Sequence, residues 1–420
     1  MTTLMAALRD APWLGADRAL AWTRVLAVVM ALAALMLILI TRGGSAPDLW
    51  GYPLSGDFVS FWTAAKLALG GAPAAAWHPL EHAAAQRASF SAAAGYSSMY
   101  FAFFYPPPFL LILLPLALLP YPAALALWLV ATGAAYVAAI RALLPPRWPA
   151  ILVALAFPAV IINAGNGQNG ALSTALVAAA GVFLDRRPRL AGACLGALCF
   201  KPQLALLVVP ALVAARRWGS LIWAGAAAAT LCLASLLVLG GPAWLGFLSN
   251  ASFARAALEN GLVGFAKMHS AFAAARLLGA DLAVAWSIQG AVSVSVVVLV
   301  VSVVSHRPGA AAEAATIAAA ACLVTPFLLD YDLLLLAVPL AWVAAQAERG
   351  AYLPWEKLIL AANFVLPLAA RSLSIAARSR SLLWRHLASS FLSGSIFWSR
   401  HSCRIRWTST SGYRRMGEVK

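Results

Sequence analysis

The chain has 420 residues, 63% of them hydrophobic and 10% charged, with a mean hydropathy of +0.85 and a formal net charge of +16. A water-soluble protein of this length has nowhere to bury so much apolar side chain, so lipid is the solvent for most of it. The positive charge does not mark a nucleic-acid binder: residues 371–420 hold nine arginines and one lysine against Glu418, which is +9 of the total. Most other basic residues sit in short turns between apolar runs, where they orient membrane proteins.

Residues 1–23 carry Arg9 and Arg18 and, with Arg24 beside them, predict a cytoplasmic N-terminal segment by the positive-inside rule. The first membrane-length run, residues 25–40, lacks a small-residue cleavage site after it and is expected to stay as an anchor. A long extracytoplasmic loop, about 42–106, follows. It opens with the polar island Ser55-Gly56-Asp57-Phe58-Val59-Ser60-Phe61-Trp62 and closes on Tyr105-Pro106-Pro107-Pro108, a stiff corner because stacked prolines fix φ and deny backbone donors. The residues after it, Phe109–Leu119, are apolar, short and interrupted by Pro115, which predicts a broken or re-entrant helix.

Further apolar runs lie at about 123–140, 150–163, 169–184, 190–200, 203–215, 220–240, 282–305, 311–328, 333–347 and 357–370. Several are shorter than the ~20 residues of a straight span. Basic turns at Arg141 with Arg147, Arg186-Arg187-Pro188-Arg189, Arg216-Arg217 and His306-Arg307 fall on the inside. Alternation then places four polar motifs outside with Asp57: Asn163–Asn169, Lys201-Pro202-Gln203, the stretch 250–281 with one or two surface helices, and Asp330-Tyr331-Asp332. From Arg371 the alanine-leucine texture gives way to Ser, Arg, His and Trp without a helical apolar period. A basic tail that binds anionic headgroups and a shifted reading frame fit this stretch equally.

Asp57 has two readings: a general base at the membrane surface, or a helix N-cap with Ser55 before the run Phe58, Phe61, Trp62, Ala65, Leu69. The Asn163–Gly170 turn can offer backbone N–H groups and the amides of Gln168 and Asn169 to a phosphate or a sugar, or be a plain polar turn. Lys201, at a helix break made by Pro202 between short apolar runs, must snorkel or pair, and its default reading is a phosphate contact. His269 and Arg276, on the outer stretch, are further phosphate candidates, though a lone histidine is commonly a hydrogen-bonded surface residue. Asp330 and Asp332 read as caps or, less readily, as cation ligands. The five cysteines form no framework, no His, Asp or Glu cluster has metal-ligand spacing, and no nucleotide-binding or serine-nucleophile motif occurs. No cofactor or metal is expected.

The order Gly-Asp-Phe-x-x-Phe-Trp-x-Ala-Ala (56–65), Tyr-Pro-Pro-Pro (105–108), Gly-Gln-Asn-Gly (167–170), Asp-Arg-Arg-Pro (185–188), Ala-Gly-x-x-Leu-Gly (191–196), Lys-Pro-Gln (201–203) and Asp-Tyr-Asp (330–332) resembles glycosyltransferase family 87 over about residues 20–347. The resemblance implies an all-α polytopic membrane protein with a GT-C-like bundle of about 10–12 membrane segments in residues 24–370. It also implies residence in a bacterial inner (plasma) membrane and an extracytoplasmic active site under the first long loop. The donor implied is a sugar, mannose-like in the family's relatives, on a polyprenyl phosphate. It would be passed with inversion to a glycan or glycolipid acceptor without a nucleotide sugar. The family's loop aspartate falls on Asp57, which favours the general base there, and substrate contacts are expected from Lys201, Gln203, Gln168, Asn169, His269, Arg276 and Tyr105. The chain departs from the family after Arg371, where further apolar spans are expected and none is present. A transporter or lipid flippase is the alternative, and it requires ionisable residues along a path through the membrane.

Overall fold

A computed structural model describes residues 2–41, 55–90, 100–146, 149–347 and 352–392. Parts of the expected outer loop (42–54 and 91–99) and of the basic tail (393–420) lie outside the described residues. Among those described there is no strand, and Met268 and Leu329 form an isolated antiparallel bridge. Helix is what lipid demands, because a segment in hydrocarbon must satisfy its own backbone donors and acceptors.

The helices run in chain order as α1 (Thr2–Asp10), α2 (Ala16–Thr41), α3 (Gly56–Leu69), α4 (Pro79–Phe90) and α5 (Pro107–Leu113). They continue as α6 (Tyr121–Leu143), α7 (Ala150–Ala156), α8 (Ala159–Asn166), α9 (Gly170–Phe183), α10 (Pro188–Ala197), α11 (Pro202–Ala205) and α12 (Val208–Ala214). The remainder are α13 (Trp218–Ser249), α14 (Ala251–Glu259), α15 (Ala271–Leu277), α16 (Leu282–Ser305), α17 (Ala310–Val324), α18 (Ala337–Ala347) and α19 (Glu356–Leu392). Six helical stretches are long and apolar enough to cross a membrane: 17–36, 121–143, 218–259, 282–305, 330–347 and 356–376. The protein is therefore an all-α, multi-pass membrane protein.

Of the shorter apolar helices, α9 and α17 bury most of their residues against neighbours. Enclosed by protein, they need not match the bilayer thickness by themselves. Prolines explain the breaks. At Pro115 helix α5 gives way to a 3-10 turn, Leu114–Leu118, as the sequence predicts, and Pro158 separates α7 from α8. In α13 Gly240 takes φ +78° two residues before Pro242, which kinks the helix.

Periodicity sets the packing. On α6 the buried residues Ala124, Trp128, Thr132, Tyr136 and Ile140 recur every fourth position, a single stripe turned into the bundle. Between α10 and α13 the contact is made by glycine. A Cβ at Gly192 would strike the Ser220 carbonyl and one at Gly196 the Ala224 carbonyl, so the two backbones touch. At the turns joining α9 to α10, α12 to α13 and α16 to α17, Arg217 holds Glu313 through two hydrogen bonds of 2.8 and 3.1 Å and Asp185 at 2.6 Å. Asp185 also accepts from the Ala310 amide, so the Asp-Arg-Arg-Pro motif serves as a brace at that end of the bundle.

Two compact units divide at Arg378 and Ser379. Helix α19 reaches Leu392, beyond the position where the apolar texture ends at Arg371. Leu382, Leu383, Leu387 and Ala388 are strong helix formers whether or not they share an apolar face.

Candidate active site

Opposite the Arg217 brace, the other set of turns encloses a cavity of about 1120 Å³. Its walls include Asp57, Tyr105, Asn166, Gln168, Lys201, Gln203, Arg255, Lys267, Asp330 and Asp332. Every polar motif that alternation places on one side thus contributes to one chamber. The loop motif, the glycine-rich turn, the Lys-Pro-Gln break, the outer helices and the Asp-Tyr-Asp turn all converge there.

Asp57 stands in the first turn of α3. Ser55 before it adopts a left-handed conformation (φ 58°), and no side chain caps the helix. The carboxylate instead accepts a 3.0 Å hydrogen bond from Gln168 Nε2. The N-cap reading of Asp57 is not what the structure shows. Gln168 Oε1 in turn accepts from the Tyr105 hydroxyl at 3.0 Å and from the Asn169 amide at 3.2 Å, which fixes which end of the amide faces Asp57.

The turn behind this relay is built for close approach. Gly167 has φ +67°, and a Cβ there would meet Phe58 at 2.5 Å and Ser55 at 2.9 Å. Its carbonyl accepts from Trp128 Nε1, Ser55 Oγ donates to the Ala164 carbonyl, and Tyr121 donates to the Ser55 carbonyl. The next glycine, Gly170, donates its amide to Asn163 Oδ1 and abuts the Tyr331 carbonyl. The Asn163–Gly170 turn therefore packs between the start of α3 and the Asp-Tyr-Asp turn, and the side chains of Asn163 and Asn166 bond within the turn and α8. Asn169 is fully buried behind the wall.

Burial raises the Asp57 carboxyl above the ordinary carboxylate range, and the nearby Asp330 and Asp332 push the same way. The Gln168 hydrogen bond and the Lys267 charge oppose the rise. Tyr105, enclosed and facing carboxylates, is held well above its usual value and so stays a neutral donor. The carboxylate of Asp57 is consequently a better base than a solvated one, with its orientation locked by a neutral relay.

Lys201 is only 2% exposed, in the non-helical residue between Phe200 and Pro202. Its Nζ lies 2.5 Å from Asp332 Oδ1 and over the Tyr331 ring at 5.6 Å. It pairs, as its setting requires, and the partner is a protein carboxylate. Asp332 also closes its own turn by accepting from the Leu329 amide, while Asp330 accepts from the Tyr331 amide. Gln203 lines the wall beside Lys201. His269 and Arg276 do not line the cavity. The His269 amide pairs with the Leu328 carbonyl, and burial lowers the pKa of its imidazole. Arg276 turns back to the Ala280 carbonyl and over the Phe265 ring.

The cavity also exposes Lys267 and Arg255, which sequence reasoning did not place at the site. The signal was present: Lys267 is two residues from His269, and in the stretch 250–281 the cations are few. Among the described residues no group of three or more His, Cys, Asp or Glu side chains is arranged to hold a metal ion.

A sequence model described as glycosyltransferase family 87 matches residues 103–326, more than half of the chain. The matched stretch carries Tyr105, the Gly-Gln-Asn-Gly turn, Lys201 and Lys267, and it begins after Asp57 and ends before Asp330. No curated protein and no solved structure matches the chain.

Proposed function

Because the chain belongs to glycosyltransferase family 87, a family of sugar-transferring enzymes, we propose that its cavity transfers a hexose from a polyprenyl-phosphate sugar to a glycan or glycolipid acceptor, with Asp57 as the general base. The acceptor hydroxyl attacks the anomeric carbon from the face opposite the phosphate. As the new C–O bond forms, the anomeric carbon–phosphate oxygen bond breaks, its electron pair leaves with the lipid phosphate, and the hydroxyl proton passes to Asp57. The configuration inverts in a single displacement. Phosphate is already a good leaving group, so no general acid is required.

One observation carries this reading. A carboxylate of raised pKa projects into the cavity with one oxygen held by Gln168, and Gln168 is itself oriented by the Tyr105 hydroxyl. A general base has to be oriented and of suitable basicity before it can act, and this relay supplies both. The disposition of charge supports an enzyme over a transporter. Asp57, Lys201, Lys267, Asp330 and Asp332 share one chamber and the Arg217 brace lies elsewhere, so these groups form two separate clusters and not a path through the bundle. The positive-inside argument supports a chamber on the extracytoplasmic side, and the family resemblance supports a bacterial inner membrane.

The test is sugar transfer from synthetic polyprenyl-phosphate sugars, mannose first, by membranes holding equal amounts of wild type or Asp57→Asn. Asparagine keeps the shape and can still accept from Gln168, so folding should persist while transfer falls by about 10²–10⁴-fold. An Asp57→Asn protein that works at near wild-type rate removes Asp57 from the base role.

A further inference from the structure

The cavity has a charge problem that a lipid-phosphate donor makes worse. Three carboxylates face it, Asp57, Asp330 and Asp332. Lys201 neutralises Asp332 alone, in a pair that is buried on both sides. A phosphodiester entering beside Asp57 and Asp330 brings a further negative charge, and like charges brought together in a confined site repel. When the sugar departs, the lipid phosphate gains a second negative charge. A cation must stand nearby and be free to meet it.

Three cationic side chains line the cavity: Lys201, Arg255 and Lys267. Lys201 is committed to Asp332, and Arg255 is drawn to Glu259 by a 2.9 Å hydrogen bond on the exposed flank of α14. Lys267 has no ion pair among the described residues, and its charge acts on Asp57 and Asp330 together. Arg276 is folded onto the Ala280 carbonyl, away from the chamber.

The local backbone holds Lys267 in that place. It ends a 3-10 turn, Phe265–Lys267, entered through Gly264 at φ +83°, and its amide donates to the Gly264 carbonyl. The next residue, Met268, is buried and bridges to Leu329, and the His269 amide donates to the Leu328 carbonyl. This short pairing registers Lys267 against the segment that carries Asp330. Its position is set by backbone on both sides, while its ammonium remains uncommitted.

We propose that Lys267 is the residue that contacts the lipid phosphate, binding the donor's phosphodiester and stabilising the second charge that forms on the leaving polyprenyl phosphate. The proposal rests on the reading of the cavity as the transfer site. Lys201 then shapes the wall through Asp332 and does not meet the substrate. Preorganised cations aimed at developing charge act mainly on the transition state, so Lys267 contributes more to kcat than to KM.

The experiment measures two things on purified wild type, Asp57→Asn, Lys267→Met, Lys267→Arg and Arg255→Gln. One is transfer from a polyprenyl-phosphate sugar, and the other is binding of decaprenyl monophosphate, which needs no turnover. Lys267→Met should lower kcat by about 10²–10³-fold, with a smaller change in KM, and should weaken decaprenyl monophosphate binding at least tenfold. Lys267→Arg should recover much of both, and Asp57→Asn should lose transfer yet still bind the lipid phosphate. The proposal is overturned if wild type does not bind decaprenyl monophosphate, or if Lys267→Met binds it as wild type does. It is overturned equally if Arg255→Gln, and not Lys267→Met, loses the binding. Retained transfer in Asp57→Asn together with lost binding in Lys267→Met would sink the base assignment and leave the phosphate contact standing.

Discussion

At the scale of single residues, the proposed mechanism makes the protonation of Asp57 the control on transfer. A general base works only when deprotonated, and burial raises the Asp57 pKa above its ordinary value near 3.9. The acid limb of the kcat/KM profile should therefore lie above the range of a solvated carboxyl, with activity lost as pH falls through the raised value. Gln168→Leu removes a hydrogen bond that favours the charged carboxylate, so the limb should move to still higher pH; an unmoved limb in rate–pH profiles of this variant would mean that another group titrates there. Lys201 makes a separate prediction. Lys201→Met leaves Asp332 buried without its cation, which should cost about 3–5 kcal/mol and lower the unfolding temperature in detergent. Adding Asp332→Asn should restore most of that loss, since Asn keeps the acceptor for the Leu329 amide. The sequence made Asp57 and Lys201 conspicuous, because each is an ionisable residue in an apolar setting. It could not reveal that Lys201 is answered by Asp332, 131 positions away, since partners so distant meet only through the fold.

Elements were easier to read. Apolar runs of membrane length, the break at Pro115 and the break at Pro202 are local effects of side-chain solvation and of proline's missing donor, and the structure has all of them. The division at Pro158 lies inside the run 150–163, and α13 continues to Ser249 past Gly240, where the apolar run reads as ending, because a helix can absorb or be broken by such residues depending on its neighbours. The roles of the glycine motifs were less legible. Gly192 and Gly196 mark a backbone contact, and Gly167 a clamp on α3, yet their spacing in the chain names no partner. Gly196→Val should therefore separate α10 from α13 and destabilise the protein by about 1–3 kcal/mol. Thermal unfolding checks this, and an unchanged midpoint would show that the crossing can relax without loss.

Over the whole molecule, the sequence disclosed how the polar motifs are distributed through the operation of one rule. Basic turns alternate with apolar runs, so motifs separated by even numbers of crossings share a face, and the cavity collects them. Parity says nothing about which side chains reach inward, which is why His269 and Arg276 seemed eligible and Lys267 did not. Parity also predicts sidedness. With the native cysteines replaced, a cysteine at Gly279 should react with a membrane-impermeant maleimide in intact cells, and one at Arg307 only after the membrane is opened. The reverse pattern would turn the cavity toward the cytoplasm and exclude the proposed donor face.

The contacts of α13 have a consequence for how a lipid tail reaches such a chamber. A polyprenyl chain stays in the bilayer, so its sugar-bearing end must slip between helices sideways. Along its first half α13 is pressed backbone to backbone against α10 at Gly192 and Gly196. Past the kink, Gly246 rests on the Ala74 carbonyl, where an added Cβ would come within 3.2 Å, and Phe247 stands edge-on to Trp77. An isoprenoid is far thicker than either gap. Both of these contacts are sealed seams, so a portal for the proposed donor would open elsewhere on the perimeter, between helices that meet through side chains able to swing apart.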